Sequence, residues 1–174
     1  MDTTHYLHKF ERIVDKFDKN LFTQKQLELK VGVWLNSVAL KIQKPSWVNT
    51  PQKPLSFQES IFFSVWINAD AICENRLYYN IHALKLRELN AYIVKSRDFA
   101  TAFRSRFDAF KEAWPNVSVN FGPLTLMEGW TTIEGDHYEN IITELAYKFL
   151  DITFIIDELL EERKAKQTRQ PNKL

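Results

Sequence analysis

The residues best suited to chemistry lie in two short segments near the middle of the chain, residues 61–68 and 77–83. They are polar and aromatic side chains that could orient or bind a ligand: Ser64, Trp66, Asn68, Tyr78, Asn80 and His82. His82 could act as a general base, because imidazole exchanges a proton near neutral pH, if a substrate proton and an orienting partner lay within hydrogen-bond reach. A strand histidine that only bonds a neighbouring group is commoner, so no residue is assigned as catalytic.

Alternation of apolar residues predicts that both segments are β-strands. Four apolar positions in each repeat with a period of two, and they are Ile61, Phe63, Val65 and Ile67, then Leu77, Tyr79, Ile81 and Ala83. In a hairpin these apolar faces must coincide, because a one-residue slip would turn every buried side chain outward. The opposite face, called the mixed face below, then carries Phe62, Ser64, Trp66 and Asn68 beside Tyr78, Asn80 and His82. We expect it to meet solvent, a helix or a ligand.

An amphipathic helix is predicted after this hairpin, over residues 96–114. Its apolar stripe recurs at spacings of three and four residues, at Phe99, Phe103, Phe107, Phe110 and Trp114. Ser96 is a suitable N-cap, and Pro115 ends the helix.

Basic residues form a second candidate surface at the end of the hairpin and along this helix. The candidate patch consists of Arg87, Arg97, Arg104 and Lys111, with Lys85 and Lys95 nearby. A line of cations is what a nucleic-acid phosphate backbone requires. Acidic residues lie beside the arginines, however, and such an interleaved pattern is usual for a solvated helix face.

Residues 24–43 fit two structures. The hydrophobic residues lie within one helical arc, and Thr23 with Gln26 forms a capping box, which favours a helix over 24–43. The same residues also alternate as two strands joined by a turn at Asn36 and Ser37. The capping box decides for the helix, and the hairpin stays open as the alternative.

The remaining elements follow from periodicity and turn residues. A helix is predicted over 5–19, and a proline-containing surface connection over 44–60. Residues 117–121 alternate as a third strand, a fourth is expected near Ile133, and 124–128 form a loop between them. Asp136 and Glu139 form a capping box that starts a long last helix, ending near Leu160.

Composition bounds the class of protein. The chain has 174 residues, 45% of them hydrophobic, which suits one domain with a substantial core. Its 23 basic and 22 acidic residues nearly cancel, so no global field favours nucleic acid or an anionic membrane. The single cysteine, Cys73, excludes an internal disulfide. With no signal-peptide pattern and no apolar run of about 20 residues, the expected location is cytoplasmic.

Known cofactor motifs are absent from the sequence. His5 and His8 are one helical turn apart, but no further Cys/His pairing completes a metal site. The four glycines are scattered and match neither phosphate-binding glycine pattern. No metal and no cofactor are therefore expected.

Together these patterns predict an α+β domain over residues 1–163 and a basic tail over 164–174. The domain would contain an antiparallel sheet of about four strands (a ββαββ core), two N-terminal helices and a long C-terminal helix. We expect a binding or interaction module without catalysis, whose partner is a protein or a small molecule. Alternatives are a nucleic-acid-associated protein using the basic patch, and an enzyme with His82 as base. The apolar excess on the last helix suggests a homodimer.

Overall fold

The fold is built on a five-stranded antiparallel sheet whose strand order is the chain order. The computed structural model describes residues 1–49 and 60–165. The strands are β1 (Glu28–Trp34), β2 (Ser37–Gln43), β3 (Ser60–Ile67), β4 (Arg76–Leu84) and β5 (Thr125–Thr132). The predicted α+β class, with an antiparallel sheet and a long C-terminal helix, is confirmed.

Helices pack on one face of this sheet. They are α1 (Thr3–Asp15), α2 (Lys19–Gln24), α3 (Ala69–Cys73), α4 (Ser96–Phe107) and α5 (Tyr138–Glu161), with 3-10 turns at Pro45–Trp47, Leu86–Glu88 and Asp108–Ala113. α5 lies against β3, where the rings of Phe63 and Phe149 stack with centroids 4.5 Å apart. α1 contacts β1, β2 and α5, and α4 contacts β5 and α5. The apolar face predicted for the central hairpin is therefore the core.

Residues 28–43 form a β-hairpin, and the predicted helix over 24–43 is wrong. Leu35 and Asn36 make the two-residue turn with φ values of 49° and 62°, and paired positive φ values suit the twist of a two-residue hairpin turn. Val38, Leu40 and Ile42 have no exposed surface, so the period of two matches what the core requires.

The capping-box signal at Thr23 has a different origin. Thr23 lies near the end of α2, where its hydroxyl donates a hydrogen bond to the Lys19 carbonyl. Asp18 caps this short helix instead, by accepting a hydrogen bond from the Asn20 backbone N–H. The helix predicted over 5–19 is α1, which ends earlier, at Asp15, and α2 is a separate helix that begins at Lys19.

One strand replaces the two that were predicted after the α4 region. β5 runs through residues predicted as a loop, whereas 117–121 meets β5 only through a backbone bridge between Ser118 and Glu128. The last helix begins at Tyr138 without a side-chain cap, so the predicted capping box is also wrong. Asp136 and Glu139 instead form ion pairs with Lys9 of α1 and with Lys16, the residue after α1.

The apolar stripes of α4 and α5 are buried within the chain. Phe99, Phe103 and Phe107 have no exposed surface. The helix predicted over 96–114 ends at Phe107, and a 3-10 turn follows in which Phe110 is half-buried, before the buried Trp114. Most apolar residues of α5 are also buried, although Phe154 remains 41% exposed. The homodimer stays a prediction. Lys164 pairs with Tyr92 through a backbone bridge, and residues 166–174 of the predicted tail, like most of the 44–60 connection, lie outside the described residues.

Candidate functional site

The mixed face lies opposite the helices. Phe62 pairs with His82, Ser64 with Asn80, and Trp66 with Tyr78, so the β3–β4 register brings these side chains together on one surface. Five of the six candidate ligand-binding residues line one cleft on this face, namely Ser64, Trp66, Asn68, Asn80 and His82. Tyr78 lies behind them and stacks on Trp66, with ring centroids 4.7 Å apart.

The cleft has a volume of about 410 Å³ and is lined by residues from all five strands. Trp34 and Lys41 come from the first hairpin, Phe62 and Trp66 from β3, and Glu128 from β5. Leu35, in the β1–β2 turn, also lines it and is 87% exposed. The cleft thus combines aromatic walls with a few polar groups, which is the usual make-up of a small-molecule site.

A row of polar residues crosses the mixed face from one edge of the sheet to the other. The backbone register aligns, strand by strand, Lys30, Lys41, Ser64, Asn80 and Glu128. We call this set the polar row. Phe62 and His82 lie on one side of it, and Trp66, Tyr78 and Trp130 lie on the other.

Hydrogen bonds in the polar row are donated in the same direction along the row, from Ser64 to Asn80 and from Asn80 to Glu128. The Asn80 Nδ2 donates to Glu128 Oε2 at 3.2 Å, and Ser64 Oγ donates to Asn80 Oδ1 at 2.5 Å. Because a carboxylate only accepts, Asn80 must turn its amide nitrogen to Glu128 and its carbonyl to Ser64. The Ser64 proton is therefore committed to Asn80, and Ser64 is not arranged to pass that proton to a base.

Lys41 is one of the cleft residues that the sequence analysis missed, with Trp34 and Glu128. Its ammonium lies 4.4 Å from the Trp34 ring centroid and 4.2 Å from the Phe62 ring centroid, and the residue is only 4% exposed. Burial, followed by repulsion from Lys30, lowers the pKa of Lys41 to about 8. The hairpin alternative for 24–43 would have placed Lys41 among residues of the mixed face.

We expect Lys41→Met to raise the free energy of unfolding by about 1–2 kcal/mol at pH 7. The shift of the Lys41 pKa from 10.5 to about 8 corresponds to a cost of about 3 kcal/mol for keeping the charge in the folded protein, through burial and repulsion from Lys30, and the contacts with the Trp34 and Phe62 rings partly offset it. Below pH 8 the folded and unfolded chains both carry the proton, so the penalty is complete. Between pH 8 and 10.5 only the unfolded chain keeps it, so the wild-type protein gains stability as pH rises.

Urea denaturation of both proteins at pH 7 and at about pH 10 measures this difference. The advantage of Lys41→Met should shrink at the higher pH. A variant that is less stable than the wild-type protein at pH 7 would show that the interactions of the Lys41 ammonium outweigh the cost of burying its charge.

His82 is held in one tautomer at the edge of the cleft. Its Nδ1 lies 3.3 Å from the Leu124 carbonyl oxygen and 3.2 Å from Thr125 Oγ1. Since a carbonyl only accepts, Nδ1 carries the proton and Nε2 keeps its lone pair. Burial lowers the pKa of His82, so the ring is neutral at pH 7. A register irregularity between Ile81 and His82 marks this part of the β4–β5 pairing.

Two other mixed-face residues support local structure. Asn68 caps α3 by accepting a hydrogen bond from the Ala71 N–H at 2.8 Å. Tyr78 donates its hydroxyl to Glu74 at 2.8 Å, which fixes the ring on which Trp66 stacks. Asn68 and Tyr78 therefore hold the wall of the cleft in place.

The candidate basic patch is not a uniform surface. Arg104 donates to four backbone carbonyls of residues 121–126 at 2.8–3.2 Å, so its guanidinium holds the loop that leads into β5. Arg87 and Arg97 are exposed, and Lys111 is half-buried in the turn after α4. No sequence pattern indicates this role, because the carbonyls belong to a loop that is distant along the chain.

Within residues 1–49 and 60–165, no group of three or more His, Cys, Asp or Glu side chains is placed to hold a metal ion. In the same residues, no helix is long and apolar enough to cross a bilayer. Comparison with protein-family models, with curated proteins and with solved structures finds no match to this chain.

Proposed function

We propose that this protein binds a small molecule with a flat apolar body in the cleft on the mixed face. The polar row, which runs between aromatic side chains across all five strands, is the observation that carries the proposal. A volume of about 410 Å³ is within the range of small-molecule sites. Flat rings pack well against the indole and phenyl surfaces of Trp34, Phe62 and Trp66.

The hydrogen bonds in the cleft support binding in preference to nucleophilic catalysis. Ser64 has its proton committed to Asn80, so a serine nucleophile lacks an adjacent base. His82 is the second candidate as a catalytic group, since its neutral ring keeps a lone pair on Nε2. The nucleic-acid alternative is weakened because Arg104 is used within the fold.

Calorimetry tests the proposal with three probes that share a naphthalene ring system and differ in their polar group: naphthalene carboxylate, naphthalene carboxamide and naphthylmethylamine. At least one should bind, and Trp66→Ala should weaken its binding by about tenfold or more, because Trp66 lines the cleft. Trp130→Ala is the matched control. Trp130 lies on the same face, but its ring packs under the Arg76 guanidinium, 3.9 Å from the ring centroid.

Circular dichroism and melting temperatures should first establish that both variants are folded. The Trp130→Ala variant should keep an affinity within about twofold of the wild-type protein. Absence of binding by all three probes, or equal losses in the two variants, would contradict a ligand site in this cleft.

A further inference from the structure

We propose that the ligand of this cleft is an organic acid whose carboxylate lies at the lysine end of the polar row and whose apolar body lies over Phe62 and Trp66. This inference rests on the proposed function and adds the chemical class of the ligand. The charges along the polar row, the ring contacts of Lys41 and the place of its ammonium in the lining of the cleft carry it.

The two ends of the polar row have opposite charge. Lys30 and Lys41 face each other across β1 and β2, whereas Glu128 lies on β5. Three strand spacings, or about 14 Å of backbone, separate Lys41 from Glu128. The His82 ring is neutral, so it adds no further charge to the cleft. An anionic ligand is therefore drawn to the lysine end and repelled from the Glu128 end, which fixes its orientation.

Donors suited to a carboxylate occur at the lysine end of the row. Ser64 gives its proton to Asn80, and Glu128 only accepts. The ammonium of Lys41 has three N–H donors and lies in the lining of the cleft. A charge-assisted hydrogen bond between an ammonium and a carboxylate is about twice as strong as a neutral one.

The setting of Lys41 makes an anion a better partner than a neutral group. The Lys41 ammonium lies against the Trp34 and Phe62 rings and the residue is buried, so water solvates its charge poorly, as the lowered pKa of Lys41 indicates. Lys30 adds a second positive charge opposite it. Both ammonium groups attract a ligand carboxylate, whereas an amide is attracted less strongly and an amine is repelled.

The three naphthalene probes also test this inference, because they share one ring and differ in charge. At pH 7 the carboxylate should bind about tenfold or more tightly than the carboxamide, and the amine should bind most weakly. Lys41→Met should lower the carboxylate affinity to that of the carboxamide and leave the carboxamide affinity unchanged. Lys41→Arg should keep the preference for the carboxylate. Lys95→Met, an exposed lysine at the start of α4, is the matched control and should change none of the three affinities.

The outcomes separate the inference from the proposed function. If all three probes bind equally, or if the amine binds best, and Trp66→Ala still weakens binding, the ligand is not an acid but the cleft is a ligand site. If no probe binds, both proposals fail. A carboxylate preference that survives in folded Lys41→Met would also overturn the inference, because the anion would then lie elsewhere.

Discussion

Gly129→Ala is expected to lower the free energy of unfolding by about 3 kcal/mol or more. Gly129 on β5 pairs with Tyr79 on β4, whose side chain is completely buried. A Cβ at position 129 would overlap the Tyr79 hydroxyl and lie 3.0 Å from the Pro115 carbonyl oxygen. Tyr79 cannot move aside cheaply, because its hydroxyl donates to that carbonyl at 2.6 Å. Urea denaturation monitored by tryptophan fluorescence measures the loss.

Gly122→Ala provides the control for this substitution. A Cβ at position 122 would meet no atom within 4 Å, so the change should stay within about 0.5 kcal/mol. Equal stability of Gly129→Ala and the wild-type protein would show that β5 does not pack on Tyr79 in this register. That register also aligns Glu128 with Asn80 in the polar row.

Arg104→Met should lower the free energy of unfolding by about 2–3 kcal/mol. The substitution removes four hydrogen bonds from a charged donor, and the Thr125 and Leu126 carbonyls that lose them are partly buried. Methionine keeps much of the aliphatic volume, so the lost hydrogen bonds dominate the effect. Thermal and urea denaturation of the purified variant would measure the change.

Arg97→Met is the matched control, because Arg97 is an exposed arginine on the same helix. Its effect should be within about 0.5 kcal/mol. Equal losses of stability in the two variants would show that the contacts of Arg104 with the loop at 121–126 do not stabilise the fold. The hypothesis that Arg104 belongs to a nucleic-acid-binding basic patch would then be favoured again.

The central hairpin could be predicted from sequence because its two strands are buried on the helix side and their apolar residues alternate without interruption. Phe63 and Ile81 belong to a face with no exposed surface, which excludes any register that turns one apolar face outward. The placement of His82 on the same face as Phe62 followed from that parity. The neighbouring strands that complete the cleft could not be placed in the same way.

Lys41 was missed because residues 27–42 satisfy the helical and the strand periods together. What separates the two structures is non-local: β2 fills the place beside β3, where Leu40 meets Val65 in the core. Pairing between strands distant in sequence leaves no mark within a short window of residues. Local capping signals therefore pointed to the wrong element.

β5 was misplaced for a related reason. Leu126 and Met127 are adjacent and both fully buried, which breaks the alternation that would mark a strand. The carbonyl contacts of Arg104 and the close approach of Tyr79 to Gly129 hold this segment, and both are tertiary. Glu128, which ends the polar row, could be found only once β5 was in place.

The most direct test of a ligand site on the mixed face is chemical-shift mapping of naphthalene carboxylate on isotope-labelled protein. The indole N–H groups are built-in reporters, because Trp34 and Trp66 line the cleft while the Trp47 indole N–H donates to Asp157 on the helix side. We predict the largest shifts at Trp34, Trp66 and the Asn80 side-chain amide, with Trp47 unchanged. Shifts centred on Trp47 and the helices, or no shifts at all, would contradict the account.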